Sequence, residues 1–507
     1  MILKDILLAA SSGILLVLTF PQFDLEILSW VALIPWLWSI KQKSPPQAAF
    51  LGFVAGFTFF AGLLYWIYNV LTEYGHLPGW ISIFFLVVLI AYLALYFSFF
   101  AFLLRWVADK IDLPETFFAP PLWVSLEYIR GILLSGFPWE LLGYSQFQTL
   151  PMVQIADITG VYGVSFIILL TNVALYRFAL TLTDRDWKSA GKEILVPGMI
   201  IALCGSYGLW KLSDLDQKAK AGRLYGVALI QGNIRQDVKW EPHFQEETLK
   251  IYSSLTLQAK VPRIDLVIWP ETATPFFFQN PSPLQSRILE LAHQVQAPLL
   301  FGAPAFERQG SRINYFNSAF LISPEKKILG RYDKIHLVPF GEYAPFSGIL
   351  GFTRDIIGAI GDFTSGPEIR NLSLPWGNFG VLICYEAIFP DLTRQFVDQG
   401  ARFLVNITND AWFGKTSAPY QHLSMVTLRA VENRVPIARA ANTGISALID
   451  SSGRVVRSTG LFTREVLCGK IDVNKSSTFY TQWGDLFSYC CLGITFLLCL
   501  FAYFKRG

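Results

Sequence analysis

The chain has 507 residues, of which 53% are hydrophobic and only 16% charged, with a mean hydropathy of +0.41. That is too long for one ordinary domain and too apolar for a wholly soluble protein, so part of it is expected in a membrane. A formal net charge of +3 without a basic run gives no sign of nucleic-acid binding, and five scattered histidines with no CxxC pair speak against a metal enzyme.

The first ~210 residues alternate long apolar runs with short polar breaks, and about 20 apolar residues suffice for a helix to cross a bilayer. Spans are predicted near 5–21, 25–40, 47–70, 79–106, 115–135, 160–183 and 193–211, with an eighth near 484–504. The first run reads as a retained helix rather than a signal peptide, because six more spans follow it and no clear cleavage site appears. Lysine and arginine set the orientation. With the N-terminus cytoplasmic, the inside loops carry Lys4, Lys41, Lys43, Arg105, Lys110, Arg185, Lys188 and Lys192, and the tail carries Lys505 and Arg506. The breaks 21–25, 71–78 and 136–159 carry none. The expected organisation is a membrane region over 1–211, an extracytoplasmic domain over 212–480, and a last helix with a cytoplasmic tail over 481–507. In a bacterium the middle block is periplasmic. Glu127 and Arg130 lie three apart in a predicted helix and can meet on one face. Ionisable groups at depth are costly and usually functional; the alternative is a neutralised structural pair.

From Leu224 the pattern changes to short apolar runs closed by polar residues: YGVALIQGN, DLVIWPETA, PLLFGAPAF, GVLICYEAI and RFLVNITND. Such runs suit strands covered on both faces. Helical stretches such as Pro283–Val295 and Pro419–Asn433 lie between them, which predicts a helix–sheet–sheet–helix domain of ~270 residues. Gln231, Glu271, Cys384 and Asn409 sit just past their runs, where polar residues gather in one crevice. There is no Gly-rich phosphate loop, and no cofactor or metal is expected.

Taken alone, Cys384 in GVLICYEAIFPDL reads as a small buried hydrophobe. Two other stretches change that reading: WPETATP around Glu271, and YDKIHLVPFGEYAP around Lys334 and Glu342. A thiol becomes a good nucleophile beside a base or a cation. Glu271 offers the base, and Lys334 offers a charge that stabilises an oxyanion. The set is chemically complete for acyl transfer through a thioester. His336 reads as structural and Cys468 as a plain buried thiol. A Cys384–Cys468 disulfide would abolish the chemistry.

These three stretches resemble the Glu-Lys-Cys triad of the nitrilase superfamily. The whole chain, including the membrane stretch GFPWELLGYSQ (Gly136–Gln146), resembles the apolipoprotein N-acyltransferase family. The resemblance implies an α+β membrane protein: a polytopic helical membrane domain of about eight spans joined to a nitrilase-like αββα sandwich. It implies a two-step reaction in the bacterial inner membrane. Cys384 takes the sn-1 acyl chain of a phospholipid, typically phosphatidylethanolamine, and passes it to the α-amine of the diacylglyceryl-modified N-terminal cysteine of an apolipoprotein. Glu271 is then the base and Lys334 the oxyanion partner. Glu342 supports the triad, Tyr385 and Glu386 shape the site, and Trp240 contacts or gates substrate. The protein is expected to act as a monomer. Phe276-Phe277-Phe278 and the apolar loop Pro345 to Ile360 are candidate lipid contacts. Two rival functions are a membrane-anchored amidase using the same triad with water as acceptor, and a transporter with an outer receptor domain.

Overall fold

Each apolar run after Leu224 becomes a strand. The computed structural model describes residues 3–183, 187–236, 239, 241–259, 263–343, 363–473 and 477–505. Among these residues the strands are β1 (Leu224–Gln231), β2 (Leu266–Ile268), β3 (Leu299–Gln309), β4 (Arg312–Ile322), β5 (Ile328–Asp333), β6 (Leu372–Leu374), β7 (Gly377–Ile383), β8 (Phe403–Thr408), β9 (Ile437–Ala441), β10 (Ala447–Ile449), β11 (Val455–Ser458) and β12 (Glu465–Asp472). They form two six-stranded sheets, ordered β12-β1-β2-β3-β4-β5 and β11-β10-β9-β8-β7-β6. The central pairs β1–β2, β2–β3, β7–β8 and β8–β9 are parallel.

Strand alternation sorts the side chains into layers. Val227 and Leu229 of β1, with Leu266 and Ile268 of β2, face the second sheet and meet Val381, Val405 and Ala438. The intervening Ala228, Ile230 and Val267 point the other way, onto the helices Pro242–Leu257 and Pro283–Val295. The second sheet is covered by Pro390–Asp398 and Ala418–Asn433, which supply Phe396 and Val426. This is the expected helix–sheet–sheet–helix layering.

Among the described residues five helices are long and apolar enough to cross a bilayer: Pro45–Leu63, Gly79–Ala108, Val161–Thr183, Ala190–Lys220 and Leu486–Phe504. Two further predicted spans are helical over Leu3–Thr19 and Glu115–Ile132. The predicted span 25–40 is not one helix. It breaks into a 3-10 turn, Glu26–Trp30, and a seven-residue helix, Ile34–Ile40. Pro35 sits in the first turn of that helix and cannot continue a preceding one. Seven residues rise about 10 Å, far short of the ~30 Å hydrocarbon core. Close helix contact uses small residues: a Cβ on Gly52 would lie 2.5 Å from the Phe97 carbonyl oxygen, and one on Gly56 would lie 2.9 Å from the Phe97 side chain. This Gly-xxx-Gly spacing lets Pro45–Leu63 and Gly79–Ala108 approach backbone to backbone.

The helical part and the sandwich are joined through Ala418–Asn433 and the residue after it. Gln421 Oε1 accepts from both indoles, Trp66 Nε1 at 3.2 Å and Trp139 Nε1 at 2.8 Å. Arg429 donates to Tyr144 Oη at 2.8 Å and pairs with Glu432 at 2.8 Å, while Glu432 accepts from Val161 N at 3.1 Å. Arg434 reaches Asp157 at 2.9 Å and the Gln154 carbonyl at 2.9 Å. Asp157 and Arg434 are both buried, so removing one partner strands the other charge. Asp157→Ala should therefore lower stability by about 3–5 kcal/mol. The exposed Arg454 pair is the control, where truncation should cost under ~1 kcal/mol. Unfolding of the detergent-solubilised variants measures both.

Candidate active site

Four strand ends converge. Glu271 follows β2, Lys334 follows β5, Cys384 follows β7, and Asn409 follows β8. The segment before Glu271 is anchored by Trp269, whose ring stacks on Tyr252 at 5.0 Å and whose Nε1 donates to Thr256 Oγ1 at 2.9 Å. Gly302 of β3 passes directly beneath it. A Cβ there would lie 2.7 Å from Glu271 Cα and 2.4 Å from Thr272 N.

The Glu271 carboxylate is held at both oxygens: Oε1 accepts from Asn317 Nδ2 at 2.8 Å, and Oε2 from Asn409 N at 2.9 Å. Lys334 Nζ lies 3.7 Å from Glu271 Oε1 and 2.8 Å from Glu342 Oε2. The same Asn317 amide donates to Glu342 Oε1 at 2.8 Å, and Val338 N donates to Glu342 Oε2 at 2.8 Å. The Lys334 side chain is 1% exposed. Burial works against its charge, but Glu342 and then Glu271 outweigh that and hold the ammonium well above its ordinary range.

Cys384 carries a free, buried thiol on a left-handed backbone, φ +53°. Such a conformation is costly for a residue with a Cβ and clusters at functional sites. Burial pushes the thiol up, the Glu271 charge adds to this, and Lys334 opposes it. The resting sulfur is a thiol. Glu386 fixes the turn from behind. Its Oε2 accepts from Ile383 N at 2.7 Å; its Oε1 accepts from Tyr332 Oη at 2.7 Å, Ile335 N at 2.7 Å and His336 N at 3.2 Å. Tyr385 leans on Phe389, ring centroids 5.1 Å apart, and its hydroxyl reaches toward the Gly136 carbonyl at 3.5 Å. His336 packs on Phe389 at 3.7 Å; burial, then Lys334, pushes it down to about 4, so it is neutral.

Glu271, Lys334 and Glu342 thus form one buried cluster that acts electrostatically on Cys384, with Tyr385 and Glu386 beside it. Gln231 is elsewhere. Its amide ties β1 to the β10–β11 region, donating to the Gly460 carbonyl at 2.8 Å and accepting from Ser446 Oγ and Thr459 Oγ1, each at 2.7 Å. Trp240 and the loop Pro345 to Ile360 lie outside the described residues. Of the Phe triplet, Phe278 is fully buried against Phe301 at 4.8 Å, while Phe276 and Phe277 are half-buried, Phe277 edge-on to Phe306 at 5.1 Å. Glu127 takes a bond from Leu142 N at 2.8 Å, and the Arg130 guanidinium lies 5.3 Å over the Phe60 ring. With Glu140 they line a cavity of about 30 Å³, room for a water or two. Among the described residues no group of His, Cys, Asp or Glu is arranged to hold a metal ion.

Sequence reasoning missed Asn317, which bridges the two carboxylates, and Lys239, which is fully buried and donates to Thr272 Oγ1 at 2.8 Å and the Glu271 carbonyl at 3.3 Å. Burial pushes Lys239 down to about 8.

Two outcomes follow. Gly302→Ala displaces Glu271, and the rate at which Cys384 reacts with iodoacetamide, read on its peptide by mass, should fall about tenfold or more. For Lys239, the folded protein releases a proton at about pH 8 that the unfolded chain keeps to about 10.5. The unfolded state binds more protons in that window, so wild-type stability should rise relative to Lys239→Met between pH 8 and 10.5, by up to about 3 kcal/mol. Below pH 8 the wild type bears the full cost of the buried ammonium. Unfolding of both proteins at pH 7 and 10 measures the difference.

Residues 12–174 match the family described as Apolipoprotein N-acyltransferase N-terminal domain, and residues 226–479 match Carbon-nitrogen hydrolase. The apolipoprotein N-acyltransferase of Geobacter metallireducens is 46% identical, over 99% of this chain and 96% of its own length. That of Methylococcus capsulatus is 35% identical, over 95% of this chain and 93% of its own. Among solved structures, Saccharomyces cerevisiae Nit3, a member of branch 10 of the nitrilase superfamily, is 19% identical over 49% of this chain and 90% of its own, with a TM-score of 0.40. With relatives this similar along its whole length, and both halves matched in order, the chain belongs to the apolipoprotein N-acyltransferase family.

Proposed function

We propose that this protein moves an acyl chain from the sn-1 position of a phospholipid, phosphatidylethanolamine being the expected donor, to the α-amine of the diacylglyceryl-cysteine at the N-terminus of an apolipoprotein. The observation that carries the reading is the Lys334 ammonium held between Glu271 and Glu342 beside a free Cys384 thiol. Glu271 takes the thiol proton as sulfur attacks the ester carbonyl. Lys334 balances the oxyanion of the tetrahedral intermediate. The intermediate collapses, the carbon–oxygen bond breaks, and the departing lysophospholipid oxygen takes the proton back from Glu271. An acyl thioester remains on Cys384. The acceptor amine attacks it and Glu271 takes the amine proton. The carbon–sulfur bond breaks, the amide leaves, and the sulfur is reprotonated.

Glu342 keeps Lys334 charged and placed. Glu386 fixes the backbone around the nucleophile, Tyr385 lines the site on the side of Gly136, and Trp240 contacts or gates substrate. On the same reading residues 1–211 sit in the bacterial inner membrane, 212–480 face the periplasm, 481–507 return the tail to the cytoplasm, and the protein works as a monomer. A site fixed at the bilayer surface removes much of the search and orientation cost for two acylated substrates.

The test is peptide mass spectrometry after incubation with phospholipid carrying a labelled sn-1 chain. The expected result is an acyl mass on the Cys384 peptide that neutral hydroxylamine removes and that Glu271→Gln does not form. A folded protein with free Cys384 and no acyl mass would overturn the phospholipid donor and favour a membrane-anchored amidase.

A further inference from the structure

Behind the nucleophile lies a fully buried polar network that the proposed chemistry does not use. His422, in the helix Ala418–Asn433, places Nε2 3.2 Å from the Cys384 carbonyl oxygen. Its Nδ1 lies 3.2 Å from Arg439 Nη2 and 3.3 Å from Asp410 Oδ1. Arg439 in turn donates to Asp410 Oδ2 at 2.7 Å, to the Ile445 carbonyl at 3.1 Å and to Asn406. Asp410 Oδ1 also accepts from Thr408 Oγ1 at 2.9 Å, and Asn406 donates to the Leu382 carbonyl at 2.9 Å. The network therefore spans β9, β8 and β7, the three parallel strands that end at the site. His422, Asp410 and Arg439 are each at most 1% exposed. Gly444 packs so closely that a Cβ there would lie 2.1 Å from Asp410 Oδ2.

A carbonyl oxygen only accepts, so Nε2 carries the proton. Nδ1 faces both a donor, Arg439, and an acceptor, Asp410 Oδ1; burial, then the Arg439 charge, pushes the imidazole down and so favours the neutral ring, with Nδ1 accepting from Arg439. His422 is neutral and aims one N–H at the main chain of Cys384. That main chain has the left-handed φ of +53°, a conformation that persists only where the surroundings over-determine it. On the other side the imidazole meets Trp139, ring centroids 6.1 Å apart, and Phe413 at 6.3 Å. Trp139 belongs to the stretch Gly136–Gln146 of the helical part.

We propose that His422, oriented by Arg439 and Asp410, is a positioning residue that holds the strained backbone of Cys384 by donating from Nε2 to its carbonyl. This rests on the reading of Cys384 as the nucleophile. It needs no particular acyl donor.

The test uses the full chain in detergent with His422→Leu, which removes the donor, and His422→Gln, which keeps a side-chain N–H of similar reach. The first readout is the rate of Cys384 alkylation by iodoacetamide, followed on its own peptide. His422→Leu should slow it about tenfold or more, the loss expected when a reacting atom is misplaced by a fraction of an ångström, and His422→Gln should restore it to within about threefold. The second readout is acyl transfer. His422→Leu should lower kcat with KM near wild type, and His422→Gln should recover kcat. Wild-type alkylation in His422→Leu would overturn the proposal, as would a folded His422→Gln no faster than His422→Leu. If His422→Leu does not fold, His422→Asn, too short to reach the Cys384 carbonyl, takes its place with the same expected loss. The alkylation arm contains no lipid, so a failure of the phospholipid reading leaves its outcome intact.

Discussion

The buried charge on Lys334 is the constraint around which the candidate active site is built. Moving an ammonium out of water costs several kcal/mol, and only close, well-hydrogen-bonded counter-charges offset it. Glu342 at 2.8 Å and Glu271 at 3.7 Å supply them. Two carboxylates around one ammonium leave an excess negative charge, which neutral donors must absorb. Asn317 gives its amide to both carboxylates, Val338 N serves Glu342, and Asn409 N serves Glu271. These donors come from β4, the turn after β5 and the end of β8. The charge is thus stable only when strands from both sheets end at matching heights. The geometry of the candidate site and the stability of the fold are here the same set of bonds.

A second constraint acts between the two halves. All but Tyr420 of the helix Ala418–Asn433 is buried, because one face lies on the second sheet and the other in the helical part. Its polar side chains do not face water. Gln421 takes two indole N–H groups, Arg429 meets Tyr144, and His422 turns toward Cys384. Desolvated bonds of this kind lose far more when broken than surface ones. They hold the sandwich in a defined orientation on the membrane helices, as a linker alone could not. For a reaction that gains rate from orientation, a fixed angle between the two parts matters as much as nearness.

Much of this was legible in the sequence, and the reasons for the rest are physical. Strands announce themselves as short apolar runs because both faces of each sheet are covered. Glu271, Lys334 and Cys384 are legible because each closes such a run within a recognisable stretch. Asn317 lies inside β4 and reads as an ordinary alternating polar residue; only the sheet pairing brings it to both carboxylates. Gln421, His422, Arg429 and Glu432 give their helix the pattern of a solvated face, and the sequence does not reveal that a second body covers it. Composition alone does not resolve two apolar stretches. Pro35 cuts the run 25–40 into a 3-10 turn and a short helix, and in the Phe triplet Phe301 and Phe320 receive Phe278 while Phe276 and Phe277 stay half-buried.

The same burial that makes the site stable also sets how its thiol behaves. In a pocket that raises the thiol, and beside the negative charge of Glu271, Cys384 does not rest as a thiolate, although Lys334 is near. A standing thiolate would react with any electrophile or oxidant that reached it. On the proposed mechanism, a protonated, buried thiol beside a preorganised carboxylate becomes a nucleophile only when a carbonyl arrives to accept the sulfur electrons and Glu271 accepts the proton in the same event. The positive charge then finds its partner in the oxyanion rather than in the resting sulfur. In that reading Lys334 favours the transition state over the ground state, which is the condition for a charge to accelerate a reaction rather than merely bind its reactant.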